Sequence, residues 1–207
     1  EFEIKTKTDR DSECPILLEF LQKISPIESL LDCGAHYSSH HYANEIRPLV
    51  KRYDGIDILD DPETRKIVDN YYVGNANEYP LEKYDVVICV STIEHAGVST
   101  YKATDVIIEQ NKLFIKCLEL AKKYVWVSVP VGQPYVYPNE LSIITKRQLT
   151  HWENMVSNFK VKQYYLHNQG PQAGHPWYQH NKREVAVNSQ YIDYIGNCNI
   201  CVFEIEK

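Results

Sequence analysis

The sequence predicts an α/β fold built on one mostly parallel sheet. Three observations carry this. Tyr84 to Val90, YDVVICV, is a continuous run rich in β-branched residues, as expected of a strand buried on both faces. Thr104 to Lys122 is amphipathic, with Leu113, Phe114, Cys117, Leu118 and Ala121 at helical spacing. Strand-like and helix-like runs alternate along the 207 residues, a length that fits one domain.

The elements follow in order. Ser12 is placed to cap a helix over Pro15 to Ile24, with Leu17, Leu18, Leu21 and Ile24 on one face and Pro26 beyond its end. Ser29 to Asp32 is a short apolar run ending in an acid. Cys33 to Ser39 is a loop of mostly small residues, and a helix then runs to about Arg47, where Pro48 ends it. Tyr53 to Asp57 is a second strand. Asp60 or Asp61, before Pro62, starts another helix, because proline suits the first turn. Tyr71 to Gly74 is a brief third strand, and Tyr84 to Val90 a fourth. After the long helix, Tyr124 to Val129 is again strand-like. Thr145 and Gln148 have the spacing of a capping box for a helix to about Asn158. Phe159 to Leu166 and Asn199 to Glu206 are two closing strands, separated by a long irregular segment, His167 to Asn197.

Charge and composition narrow the function. The formal net charge is −6, and no Lys/Arg-rich block occurs, so the electrostatic footprint of a duplex nucleic-acid binder is missing. No apolar run reaches the length needed to span a bilayer, and the polar start, Glu1 to Arg10, does not read as a secretory signal. Six cysteines in a chain of this size do not form a disulfide framework. Cys198 and Cys201 make one C-x-x-C, but it enters a strand rather than a strand-to-helix turn, so it reads as structural. A reducing, cytoplasmic setting is expected.

In a parallel sheet, ligands bind beyond the carboxyl ends of the strands. Four segments stand there: LLDCGAHYSSH (30–40), YDGIDILDD (53–61), GNANEYP (74–80) and YDVVICVSTIEHAG (84–97). In this order they resemble the class I S-adenosylmethionine-dependent methyltransferases over about residues 29 to 131. That resemblance implies a Rossmann-like, doubly wound, seven-stranded sheet with a C-terminal antiparallel strand. It also implies S-adenosylmethionine as cofactor. The expected layout is a single domain over 1–207. An N-terminal helical cap spans 1–28 and a cofactor-binding core 29–131. A substrate-side half spans 132–207 and includes the insertion at 167–197.

The resemblance assigns roles residue by residue. Gly34 lets a ligand backbone approach the first loop, because it has no Cβ. His36 and Ser38 stand where the family usually has further glycines. Asp32 is placed near the cofactor's ammonium group. Asp57, with Ile58 beside it, is placed at the ribose hydroxyls. A nicotinamide site would need G-x-G-x-x-G after the first strand, which this chain lacks. Asn75 and Ala76 stand at the adenine edge, where Asn75 serves either as acceptor or as a turn residue. Ser91 and Thr92 face the cofactor cleft.

Glu94 and His95 follow the fourth strand, where the transferred methyl points. His95 is either a general base for a hydroxyl or a packing residue. His36, His40 and His41 lack a carboxylate or thiol to complete a metal set, so no metal is expected.

The run Val129-Pro-Val-Gly132 resembles that of methyltransferases acting on small molecules, including those of surface-polysaccharide pathways. Tyr135 and Tyr137 either line a substrate pocket or are exposed loop aromatics. In the insertion, His175, Trp177 and Arg183 suit a ring-shaped, phosphorylated acceptor. The insertion itself is a lid, an oligomer contact or a packed flap. The expected function is methyl transfer to a small-molecule hydroxyl, such as a sugar or phosphorylated metabolite in glycan assembly. The alternatives are an RNA or protein methyltransferase, or a non-catalytic partner subunit with the same fold.

Overall fold

The computed structural model describes residues 3–4, 9–98, 106–134, 136–137, 141–168, 177–189 and 199–207. In chain order the strands are β1 (Glu3–Ile4), β2 (Ile27–Cys33), β3 (Val50–Asp57), β4 (Asn70–Val73), β5 (Tyr84–Val90), β6 (Ala121–Gly132), β7 (Val136–Tyr137), β8 (Leu141–Ser142), β9 (Ile144–Thr145), β10 (Lys160–Asn168), β11 (Trp177–His180) and β12 (Asn199–Glu206). The α-helices are α1 (Asp9–Ile24), α2 (Ala43–Ile46), α3 (Pro62–Arg65), α4 (Val106–Leu120), α5 (Lys146–Met155) and α6 (Arg183–Asn188).

One sheet carries the order β1-β11-β10-β12-β6-β5-β2-β3-β4, with β9 beside the end of β6. Strands β4, β3, β2, β5 and β6 are parallel. β12 enters antiparallel between β6 and β10, and holds both over its whole length. The expected seven strands are therefore present, and β1, β9 and β11 extend them. The chain leaves β2 to one side for β3 and returns to its other side for β5, so the switch point lies between β2 and β5. A ligand crevice belongs there.

The uniform apolarity of β5 follows from burial on two faces. Val86, Ile88 and Val90 point into a core shared with Leu17 and Leu21 of α1 and with Trp126. Val87 and Cys89 point the other way, onto Phe114 and Cys117 of α4 and Trp152 of α5. Phe114 and Trp152 stack with ring centroids 4.4 Å apart, and both are fully buried. Each large apolar side chain buried this way contributes about 1.5–3 kcal/mol.

Local signals held in part. The Thr145 capping box forms as expected. Asp61, not Asp60, caps α3, accepting from the Glu63 and Thr64 amides. Three boundaries differ. Helix α1 begins at Asp9, so Ser12 lies inside it, fully buried, and is not the cap. Pro48 does not end a long helix, because α2 is one turn and Pro48 sits in a 3₁₀ turn that feeds β3 directly. The insertion is not irregular throughout: β11 pairs with β10, and Ala186 and Val187 of α6 are buried in the core.

Candidate functional site

The first loop is set by β3. The amides of Gly34 and Ala35 both donate to the Ile56 carbonyl, at 2.8 and 3.2 Å. Gly34 has φ +90°, and a Cβ there would fall inside the Thr92 side chain. Glycine is thus required by a neighbour as well as by the backbone angle. Beyond it, Tyr37 takes the left-handed conformation at φ 64°. Its amide donates to Asp61 Oδ2 at 2.8 Å. Asp61 therefore caps α3 and braces the loop together. Burial alone would raise its pKa, but hydrogen bonds from the Thr64 hydroxyl and the Tyr37, Thr64 and Glu63 amides bring it below the usual value.

Asp57 ends β3 facing this loop. Oδ2 accepts from the His36 amide at 3.2 Å, and Oδ1 from the Leu59 amide at 3.0 Å. Burial pushes its carboxyl up, against those two amides. Each oxygen of an ionised carboxylate has a further acceptor site, so the pair retains capacity for ligand hydroxyls. After β4, Asn75 forms a turn: its Oδ1 accepts from the Asn77 amide at 3.0 Å. The Asn77 side chain in turn donates to Glu109 Oε2 of α4 at 3.2 Å.

The end of β5 is tightly bound. Ser91 has φ 40° and its amide donates to Ser128 Oγ at 3.1 Å. Its hydroxyl donates to Glu13 Oε1 of α1 at 2.6 Å. Arg10, one turn earlier in α1, donates to the Val90 carbonyl at 2.9 Å, the Ser91 carbonyl at 3.3 Å and Glu13 Oε2 at 3.2 Å. A 3₁₀ turn, Ile93–His95, follows. Gln110 of α4 holds it from beneath, donating to the Glu94 carbonyl at 3.3 Å. His95 keeps 39% of its side chain exposed, 3.9 Å from the buried Glu94 carboxyl.

These loops enclose a cleft of about 570 Å³ at the switch point, within the range of small-molecule sites. Gly34, His36, Asp57, Ile58, Asn75, Ala76, Ser91 and His95 all line it. Asp32 and Glu94 do not. Asp32 is fully buried, and its oxygens accept from Tyr42 at 3.2 Å and Tyr53 at 3.1 Å, which shields it from the cleft. Burial lifts its pKa to about 7, against the two tyrosine hydroxyls. Glu94 is turned inward under the 3₁₀ turn.

On the substrate side, Arg183 is spent elsewhere. Its Nε and Nη2 hold both oxygens of Glu153 at 2.8 and 2.9 Å, and Nη2 also donates to Thr150. It lies outside the cleft, because these bonds tie the first turn of α6 to α5. Trp177 belongs to β11, paired with Asn168 and Ile4, and Tyr137 to β7. Tyr135 and His175 lie outside the described residues. Sequence reasoning missed Arg10 and Tyr37 among the lining residues. The left-handed need at Tyr37 has no local signal, and the contacts of Arg10 span 80 residues.

Solved structures with this architecture include methyltransferases that bind S-adenosylhomocysteine, and the chain has their fold. Magnesium protoporphyrin IX methyltransferase from Synechocystis, solved with bound S-adenosylhomocysteine, aligns with a TM-score of 0.61 at 10% identity, over 95% of this chain and 83% of that one. The 1,6-didemethyltoxoflavin-N1-methyltransferase from Burkholderia thailandensis aligns at 0.60 and 12% identity, over 96% and 80%. The N-methyltransferase NodS from Bradyrhizobium japonicum aligns at 0.58 and 9% identity, over 96% and 88%. No family model matches the sequence, and no curated protein does. Among the described residues, no helix is long and apolar enough to cross a membrane.

Proposed function

We propose that this chain is an S-adenosylmethionine-dependent methyltransferase acting on a small-molecule hydroxyl. The observation that carries this reading is Asp57. It closes β3 inside the switch-point cleft, with both oxygens anchored by amides and with room for a ribose diol. The residues present fit the cofactor. The loop at Gly34 runs close under the cleft, Asp57 meets the ribose, and Asn75 with Ala76 forms the adenine end. Bound there, the cofactor supplies a methyl group on a sulfonium, which carries the driving force of transfer. The protein's part is to hold two reactants in line and to keep water out.

His95 extends from the 3₁₀ turn after β5 into the cleft and accepts the acceptor's hydroxyl proton at a ring nitrogen. The Val129-Pro-Val-Gly132 end of β6 supports a sugar-type acceptor of glycan assembly. The ion-paired Arg183 removes the argument for a phosphate on it. The described free cysteines, all buried, fit a reducing, cytoplasmic setting.

Titration calorimetry with S-adenosylhomocysteine tests the reading. Wild type should bind at one site, and Asp57→Ala should weaken binding about 10- to 150-fold, the loss of one charge-assisted hydrogen bond. A folded wild type that gives no heat with this ligand or with S-adenosylmethionine overturns it.

A further inference from the structure

One buried amide stands out from its surroundings. The other residues that α4 buries are Leu113, Phe114, Cys117 and Leu120, yet Gln110 lies among them, fully buried. Packing alone would take a leucine, because a buried amide is costly unless its donors and its acceptor are bonded. Here they are. Gln110 Nε2 donates to the Glu94 carbonyl at 3.3 Å and to the Ser142 carbonyl at 3.1 Å, and Oε1 accepts from Gln148 Nε2 at 2.8 Å. Gln148 Oε1 in turn accepts from the Thr145 amide at 3.3 Å, within the capping box of α5.

The direction of this chain of bonds is fixed at both ends. Carbonyls only accept, so the Gln110 nitrogen faces Glu94 and Ser142. A backbone amide only donates, so the Gln148 oxygen faces Thr145. Neither side chain can flip without loss of hydrogen bonds.

The two carbonyls belong to different walls. Glu94 is in the 3₁₀ turn that carries His95 into the cleft. Ser142 is in β8, which pairs with β7 in a hairpin just beyond the carboxyl end of β6. One nitrogen holds both, so the turn and the hairpin sit side by side. Gln110 itself lies behind the cleft wall, to which α4 contributes Glu109 and Leu113. We propose that Gln110 is a positioning residue for methyl transfer: it locks the His95 turn to the β7–β8 hairpin, so that the proton-accepting ring and the acceptor-side wall keep one geometry. This inference rests on the methyltransferase reading above. A misplacement of about 1 Å in such a site costs on the order of 100-fold in rate.

The test is amide hydrogen exchange on Gln110→Met, which nearly keeps the volume and removes the amide. The His95 and Ala96 amides, bonded to the Thr92 and Ile93 carbonyls, report on the turn, and the amides of β8 report on the hairpin. Both sets should exchange about 5- to 150-fold faster, as for two lost hydrogen bonds, while β3 keeps its protection. Gln148→Met should speed the turn by a smaller factor, and should add nothing in the Gln110→Met background. Calorimetry should give S-adenosylhomocysteine affinities for wild type and Gln110→Met within about threefold. The His95 ring resonance, assigned by its loss in His95→Gln, should shift when this ligand saturates wild type, and should shift less than half as far in Gln110→Met. Unchanged exchange at the turn overturns the proposal. So does an equal rise across the whole sheet, which marks general stability, or a His95 shift of wild-type size in the variant, which leaves Gln110 a packing role. A wild type that binds neither S-adenosylhomocysteine nor S-adenosylmethionine overturns the methyltransferase reading instead, and the exchange rates still decide whether Gln110 joins turn and hairpin.

Discussion

At the carboxyl ends of β2, β3, β4 and β5, polar side chains from four loops meet across an open cleft. At the far side of the sheet, the polar groups of β11 and α6 meet those of α5 and β12. Arg183 holds Glu153, His180 Nε2 lies 3.3 Å from Asn199 Oδ1, and Asn199 donates to Ser189 at 2.9 Å. Both regions are rich in chemistry-bearing residues, and in the sequence they look alike. The difference is topological. Parallel strands deliver their carboxyl ends to one rim, so acids and glycines there converge on a shared space. An insertion folded along a sheet edge is free to satisfy its charges internally. A charged residue in an insertion is therefore weaker support for a binding role than the same residue at the end of a central strand.

Substitutions can break this contrast. The largest effect is expected at His95. Once an acceptor is turned over, His95→Gln should lower kcat about 10²- to 10⁴-fold while S-adenosylhomocysteine affinity stays level. A loss below about threefold returns His95 to packing.

Asp32 tests whether an acid on a central strand can be structural. Its folded pKa of about 7 lies above the 3.8 of a free carboxyl. Between those values the folded state holds a proton that the unfolded state has lost, so stability falls as pH rises from about 4 to 7. Asp32→Asn should remove that decline, read by urea unfolding at pH 5 and pH 8. An unchanged slope would place the carboxylate in contact with solvent.

Gly34→Ala should cost about 1–3 kcal/mol, from a left-handed alanine and its overlap with Thr92. Adding Thr92→Ala should recover part of the melting temperature, and no recovery would assign the whole cost to the backbone.

The smallest effect is expected on the far side. Arg183→Ala should lower stability by about 1 kcal/mol and leave S-adenosylhomocysteine binding within about twofold. A tenfold loss of binding would bring the insertion into the cofactor site after all.

Most of the central sheet was legible in the sequence, because β5 and β6 announce burial on both faces through unbroken apolar runs. Caps were legible where donor and acceptor lie three residues apart, as at Asp61 and at Thr145 with Gln148. The wall of the cleft was legible where a residue directly follows a strand, as at Gly34, Ile58 and Ser91, and not where a helix supplies it, as at Arg10 of α1 and Glu109 of α4. Pairings between distant segments were not. The tie of Glu13 to Ser91 spans 78 residues, and that of Arg183 to Glu153 spans 30. Asp32 was misplaced for the same reason: Tyr42 and Tyr53 reach it from other elements, and nothing local marks them as its partners.

The position of β12 also shapes how the protein is made. It lies between β6 and β10, yet it follows both of them, and β11, in the chain. As the polypeptide emerges from the ribosome, β6 has an open flank while residues 160–198 are still being added, and β10 has no neighbour on its inner side. Such unpaired edges invite association with other chains. A nascent chain at this stage is a natural client for chaperones that shield strand edges. Insertion of one antiparallel strand then joins two half-built sheets in a single late step.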